Sequence, residues 1–252
     1  MSVREPAVPR RRKRAKTEQL VLFTQRGGKR RGAGRPPKGS RAGSPHKARP
    51  FHDADTPVHI VLRVIPAVGN LRRRAAYQAI RKATLTVARR DDFRIVHLSI
   101  QRTHVHLLVE AADQAALASG MQGFQISAAK HLNAAISKGR PGPRRRGPVF
   151  PDRYLAVVIT CPRQAHHALS YVLSNWRKHE EDRVALTRGW QIDWFSSAAM
   201  FRDWQEHGSE GFLMPLPRDY DPLVVQPPRS WLLRTGWKKS GTISQRDVPS
   251  AS

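Results

Sequence analysis

From about Pro57 onward the order of apolar and polar positions falls into segments with two different periods. Val58-His59-Ile60-Val61-Leu62-Arg63-Val64 is β-branched and partly alternating, which predicts a strand. Residues 70–90 contain no Gly or Pro and place apolar side chains at helical spacing. Phe93 to Gln101 and His104 to Glu110 read as strands, and the tight connection Arg102-Thr103 makes them a hairpin. Asp113 to Lys138 reads as a helix, although Gly120 and Gly123 weaken its first half. Tyr154 to Thr160 reads as a fourth strand. Pro162 to Glu181 reads as a helix, opened by Thr160 or Cys161 with a proline in its first turn. The resulting order is strand, helix, strand, strand, helix, strand, helix. This predicts an α+β fold, a ferredoxin-like split βαβ with an antiparallel sheet, helices on one face and one extra C-terminal helix.

The remaining segments lack such periods. The stretch from Gly27 to Pro50 is rich in Gly, Pro, Ser and basic residues and cannot bury a core, so residues 1–56 read as a disordered basic tail. Residues 57–188 then form the main domain. Residues 189–252 read as an irregular extension packed on it, with Trp190, Trp194, Trp204, Trp231 and Trp237 as landmarks and a loose tail after about Gly241.

Charge narrows the function. Among 252 residues, Lys and Arg number 45 against 19 Asp and Glu, giving a formal net charge of +26. So large an excess calls for a polyanionic partner, nucleic acid before an anionic membrane surface. No apolar run approaches the roughly 18 residues of a membrane span, and the basic N-terminus has no apolar stretch after it, so no signal peptide is read. The expected location is the bacterial cytoplasm, with the nucleoid. The single cysteine, Cys161, excludes an intrachain disulfide and a cysteine-cluster zinc site.

Two local patterns carry candidate chemistry. In His104-Val105-His106 the two histidines share one face of a strand, which suits a metal pair; a strand rim with two hydrogen-bonded histidines is the other reading. In Tyr171-Val172-Leu173-Ser174-Asn175 the tyrosine and asparagine lie one turn apart on one helix face. A tyrosine hydroxyl can attack phosphorus, and an amide oxygen can complete a metal site; a tyrosine that merely packs is the alternative. His59 and His97 read as strand residues with satisfied hydrogen bonds, His166-His167 as a surface pair, and Tyr77 and Tyr154 as packing residues.

Taken together, these patterns resemble the HUH endonucleases, and among them the single-tyrosine transposases of bacterial insertion sequences, nearest to the REP-associated tyrosine transposases. The His-Val-His strand, the tyrosine some fifty to seventy residues later and the polar residue four positions after it carry the likeness. Lys130 and Asn133 in the middle helix and the segment Gly147 to Tyr154 add to it, over about residues 57–205. Two positions depart from the family pattern: Arg102-Thr103 stands where a Pro-Asn pair is usual before the first histidine, and Trp176 stands where proline often follows the asparagine. The resemblance implies that His104, His106 and Asn175 hold one divalent ion, Mg²⁺ or Mn²⁺. It implies that Tyr171 forms a 5′-phosphotyrosine, releases a 3′-OH, and so cleaves and rejoins single-stranded hairpin or palindromic DNA. Either the metal or a base such as Lys178 would help to ionise Tyr171. Monomer and homodimer both occur among such proteins and stay open.

Expected DNA contacts are Arg140, Arg144, Arg145 and Arg146 in a Gly/Pro loop, and Arg72 and Arg73 at the start of the first helix. Arg35 and Lys38 lie in Gly34-Arg35-Pro36-Pro37-Lys38, a segment like a minor-groove hook, although Ala33 stands where such hooks carry arginine; a generic basic tail is the other reading. Two alternative functions stand beside the transposase: a catalytically silent DNA-binding protein of the same fold, and an RNA-binding or RNA-cleaving protein on a ferredoxin-like scaffold.

Overall fold

Four strands, β1 (Val58–Arg63), β2 (Phe93–Ile100), β3 (His104–Ala111) and β4 (Leu155–Val158), pair antiparallel in the order β2-β3-β1-β4. They were described in a computed structural model that covers residues 52–184, 190–208 and 220–249. Residues 1–51 of the basic tail, with Arg35 and Lys38, lie outside the described residues, whereas His52 is buried and Asp53 to Thr56 form a hydrogen-bonded turn. Three long helices accompany the sheet: α1 (Arg74–Val87), α2 (Gln114–Ser137) and α3 (Pro162–Lys178). The element order and the antiparallel sheet are the α+β, ferredoxin-like arrangement read from the sequence.

The sheet separates two cores. Ile60, Leu62, Leu98, Val105, Leu107 and Val109 point to one face, where Ile80 and Ala83 of α1 and Met121, Phe124 and Leu132 of α2 cover them. Leu108 and Val96 point to the other, against Ala165, Leu169, Val172 and Leu173 of α3 and the C-terminal extension. The expectation that the helices share one face therefore needs correction: α1 and α2 do, and α3 lies on the opposite face. The reason is β3 and β2, which are buried along almost their whole length on both sides. A strand with two apolar faces needs a cover on each. An irregularity between Ile95 and His97 shifts the register of β2, so that Ile95 before it and Leu98 after it, three positions apart, both enter the core under α1 and α2.

Local chemistry fixes the helix starts. The Asp113 carboxylate caps α2 by accepting from Ala116 N at 2.7 Å. Pro162 begins α3, where its missing N–H has no partner to lose, and Gln164 Oε1 accepts from Thr160 N at 2.8 Å. Gly120 does not interrupt α2. A Cβ there would fall 2.2 Å from the Phe93 ring, so the glycine is what lets the helix approach β2.

The extension also departs from expectation after Gly241. Ile243 is fully buried and bridges to Trp204, and Gln245 O accepts from Arg177 Nε of α3 at 2.8 Å. Upstream, Glu110 at the end of β3 accepts from Arg229 N, Ser230 N and Ser230 Oγ. That buried carboxylate ties the short helix α4 (Trp231–Arg234) to the sheet.

Candidate active site

The alternation of β3 places His104 and His106 on the α3 side of the sheet, with Val105 and Leu107 on the other. Their ring centroids lie 4.7 Å apart. α3 crosses this face with Tyr171, Asn175 and then His179 at successive turns. The Tyr171 ring stands 5.1 Å from His106, and the His179 ring, at the C-terminal end of the helix, stands 5.5 Å from His104. Asn175 occupies the turn between these two contacts and is fully buried. The structure thus brings Tyr171, His104, His106 and Asn175 together across 71 positions of sequence (175 − 104).

Unmet polar atoms mark the centre of this group. His106 Nε2 and both side-chain polar atoms of Asn175 are buried without a hydrogen-bond partner. Each such group costs about 1–3 kcal/mol when left unsatisfied; an ion bound here would take the lone pairs of His106 Nε2 and Asn175 Oδ1. Among the described residues no three His, Cys, Asp or Glu side chains form a ligand set; the donors here are two imidazoles and an amide, which suits a divalent ion. Protonation states agree. Burial first, then the neighbouring histidines and Arg63, holds His106 down to about 2, and burial, His179 and Arg63 hold His104 down to about 4. Both are therefore neutral imidazoles at neutral pH, the form that binds metal.

Burial pushes the Tyr171 hydroxyl above its usual range, so ionising it requires positive charge nearby. Lys178 Nζ stands 4.8 Å above the Tyr171 ring. The other tyrosines are placed as packing groups: Tyr77 and Tyr154 are buried in the core, Tyr77 donates to Asp221 O at 2.7 Å, and Tyr220 packs against Trp194.

Two neighbours were missed in the sequence. His59 Nε2 lies 3.1 Å from His106 Nδ1, and its ring is 5.9 Å from Tyr171. His59 was read as a strand histidine with a satisfied hydrogen bond; its partner is a candidate metal ligand. Pairing β1 with β3 would have found it, because Val61 faces His106 and His59 is the next residue on that face. His179 was visible as the third member of the Tyr171, Asn175 helical row.

The expected DNA contacts divide. Arg72 is buried and is removed from that set: its guanidinium donates to Asp193 at 2.8 and 2.9 Å and to Ile100 O, and lies over the Phe195 ring. Arg145 turns inward, donating to Asn133, Gly147 O and Pro148 O, and holds its own loop in shape. Arg73, Arg140, Arg144 and Arg146 are exposed. His166 is not a free surface group, since its Nε2 lies 3.1 Å from Thr242 O, whereas His167 is exposed.

In this chain a helical tyrosine is set against a His-Val-His strand on a ferredoxin-like sheet. Residues 54–174 match the family model of IS200-like transposases. Among solved structures the chain is similar to a REP-associated tyrosine transposase bound to a REP hairpin, at 16% identity and a TM-score of 0.41, over 53% of this chain and 73% of that one. It is also similar to a protein from Deinococcus radiodurans R1 described as a transposase, at 14% identity and a TM-score of 0.32, over 56% and 96%. No curated protein matches the chain. No helix among the described residues is long and apolar enough to cross a membrane.

Proposed function

We propose that this protein is a metal-dependent, single-tyrosine transposase of the REP-associated kind, cutting and rejoining single-stranded DNA that carries a hairpin. The observation that carries this reading is the meeting of Tyr171 with two neutral histidines and the unpartnered Asn175 amide. His104, His106 and Asn175 would hold Mg²⁺ or Mn²⁺, whose charge, when bound, polarises the scissile phosphate. Tyr171 Oη attacks phosphorus and loses its proton. The bond from phosphorus to the 3′ oxygen breaks, that oxygen leaves as a 3′-OH after taking up a proton, and the phosphate stays on Tyr171 as a 5′-phosphotyrosine. The Lys178 ammonium beside the ring favours the phenolate. Attack by a 3′-OH on the same phosphorus reverses the step and joins two ends, with no nucleotide consumed.

A groove of about 760 Å³ opens beside Tyr171, with Val157, Arg163, Gln164 and His167 among its walls, and offers room for the strand being cut. The test is strand cleavage of an end-labelled single-stranded hairpin DNA with Mn²⁺, with and without chelator. Cleavage that chelator abolishes, and that His106→Ala and Asn175→Ala each reduce by at least about a hundredfold, a loss of the order seen when one transition-state stabiliser is removed, supports the reading. Binding without cleavage would indicate the silent DNA-binding protein, and selective cleavage of an RNA hairpin would indicate the RNA enzyme.

A further inference from the structure

β1 lies between β3 and β4 and turns alternate side chains to opposite faces. Val58, Ile60 and Leu62 enter the core under α1 and α2, so His59, Val61 and Arg63 face the Tyr171 side of the sheet. In the pairing with β3, Val61 stands opposite His106 and Arg63 stands opposite His104. Opposite residues of an antiparallel pair bring their Cβ atoms to about 4.5–5.5 Å, so Arg63 starts beside the candidate metal ligands, and its charge reaches both rings. The strand is pinned just past it, where Val64 N donates to Thr103 O and Ile65 N to Val149 O, each at 2.9 Å.

α3 walls the histidine pair on one side, with Tyr171 against His106 and His179 against His104. The other side, over β1 and β4, is open. Arg63 is exposed there, and its guanidinium makes no ion pair or hydrogen bond among the described residues. Leu155 and Val157, paired with Val61 and His59, stay 62% and 50% exposed. β1 and β4 contain no Asp or Glu, and the one on this face of β3, Glu110, lies at the far end of the strand, occupied by Arg229 and Ser230. A divalent ion on His104 and His106 would therefore face an unpaired guanidinium with no carboxylate between them. An anion entering from the open side completes that arrangement.

We propose that Arg63 is a catalytic residue that grips a non-bridging oxygen of the scissile phosphate across from the metal ion. This rests on the transposase reading above and adds a residue to it. Attack by Tyr171 adds negative charge to the equatorial oxygens of the phosphate. A single ion holds one side of that group, and the guanidinium fork matches the other. Arg63 stays charged and exchanges no proton, so the bonds made and broken are unchanged, and the same contact serves the 5′-phosphotyrosine before rejoining.

Single-turnover cleavage of an end-labelled single-stranded hairpin DNA with Mn²⁺ compares the parent with Arg63→Ala and Arg63→Lys. Arg63→Ala is expected to cut at least about a hundredfold more slowly, and added methylguanidine is expected to return part of the rate. Arg63→Lys keeps the charge without the fork and is expected to fall between. Mn²⁺ affinity, by titration calorimetry, is expected to hold or tighten in Arg63→Ala, because a cation beside the ion is gone. Anisotropy of a labelled thymidine oligonucleotide, from about 50 to about 200 mM KCl with Tyr171→Phe protein, reads the phosphate contact apart from covalent chemistry. There Arg63→Ala is expected to lower the slope of log Kd against log salt by about 0.7, the value of one contact to a single strand. A parent that cuts nothing would remove the transposase reading and with it the scissile phosphate. A parent that cuts, beside an Arg63→Ala variant with the parental rate and salt slope, would overturn this proposal alone. A slow variant whose Mn²⁺ affinity has fallen in proportion would also overturn it, by assigning the loss to the metal site.

Discussion

His59 Nε2 and His106 Nδ1 lie 3.1 Å apart, joining the first strand of the sheet to the centre of the candidate site. Only when His106 is the donor in this bond does its buried Nε2 keep a lone pair for a metal ion. His59 is then a positioning residue that fixes a tautomer. His59→Phe is expected to weaken Mn²⁺ binding by about tenfold or more, the usual effect of losing such a partner. His59→Gln, whose amide oxygen can still accept the hydrogen bond, is expected to recover most of it. Titration calorimetry measures both, and nitrogen NMR of the metal-free protein reads the His106 tautomer directly. Equal affinity in the Phe variant would remove His59 from the site.

Arg72 and Asp193 form an ion pair that is almost wholly buried, so it acts on stability and not on DNA contact. Arg72→Ala leaves Asp193 charged and desolvated, and a loss of about 3–5 kcal/mol is expected in urea denaturation. Arg73→Ala, at an exposed position one residue on, is expected to change stability by less than about 0.5 kcal/mol.

Acid should unfold this protein early. Burial holds His97 down to about 4, against an unperturbed value of 6.5. It is neutral when folded and protonated when unfolded between those two values. The unfolded chain therefore binds the extra proton, and stability falls as pH drops through that window by up to about 1.4 kcal/mol per unit for this one group. Denaturation at a series of pH values measures the slope. His97→Gln is expected to flatten it by about one proton, and a variant with the parent slope would show that His97 does not contribute.

Gly120→Ala is expected to destabilise by about 1–3 kcal/mol through overpacking, despite alanine's better helix propensity. The added Cβ would meet the Phe93 ring at 2.2 Å. Thermal denaturation decides between the two effects, and a raised melting temperature would mean that α2 can retreat from β2.

The sequence exposed what depends on period and missed what depends on pairing. The strands β1 to β3 and the helices α1 to α3 are legible because each keeps one rhythm over many residues. His104 with His106, and Tyr171 with Asn175, are legible because each pair is local to one element. His59 was not, because its role depends on which strand lies next to β3. Arg72 was misread because a cluster of arginines before a helix looks the same whether or not a distant Asp193 draws one of them inside. The face chosen by α3 and the anchoring of Ile243 followed from long-range packing that no local pattern announces. Gly120 counted against a helix until the close approach of Phe93 gave it a reason.

Formation of a phosphotyrosine at Tyr171 is the central claim, and one gel reads it. The protein is incubated with labelled single-stranded hairpin DNA and Mn²⁺, denatured, and separated. A labelled band at the mass of protein plus DNA is predicted, lost with chelator and in Tyr171→Phe, with the label on the peptide containing Tyr171. An adduct of equal yield in Tyr171→Phe, or cleavage that leaves no protein on the DNA, would contradict it.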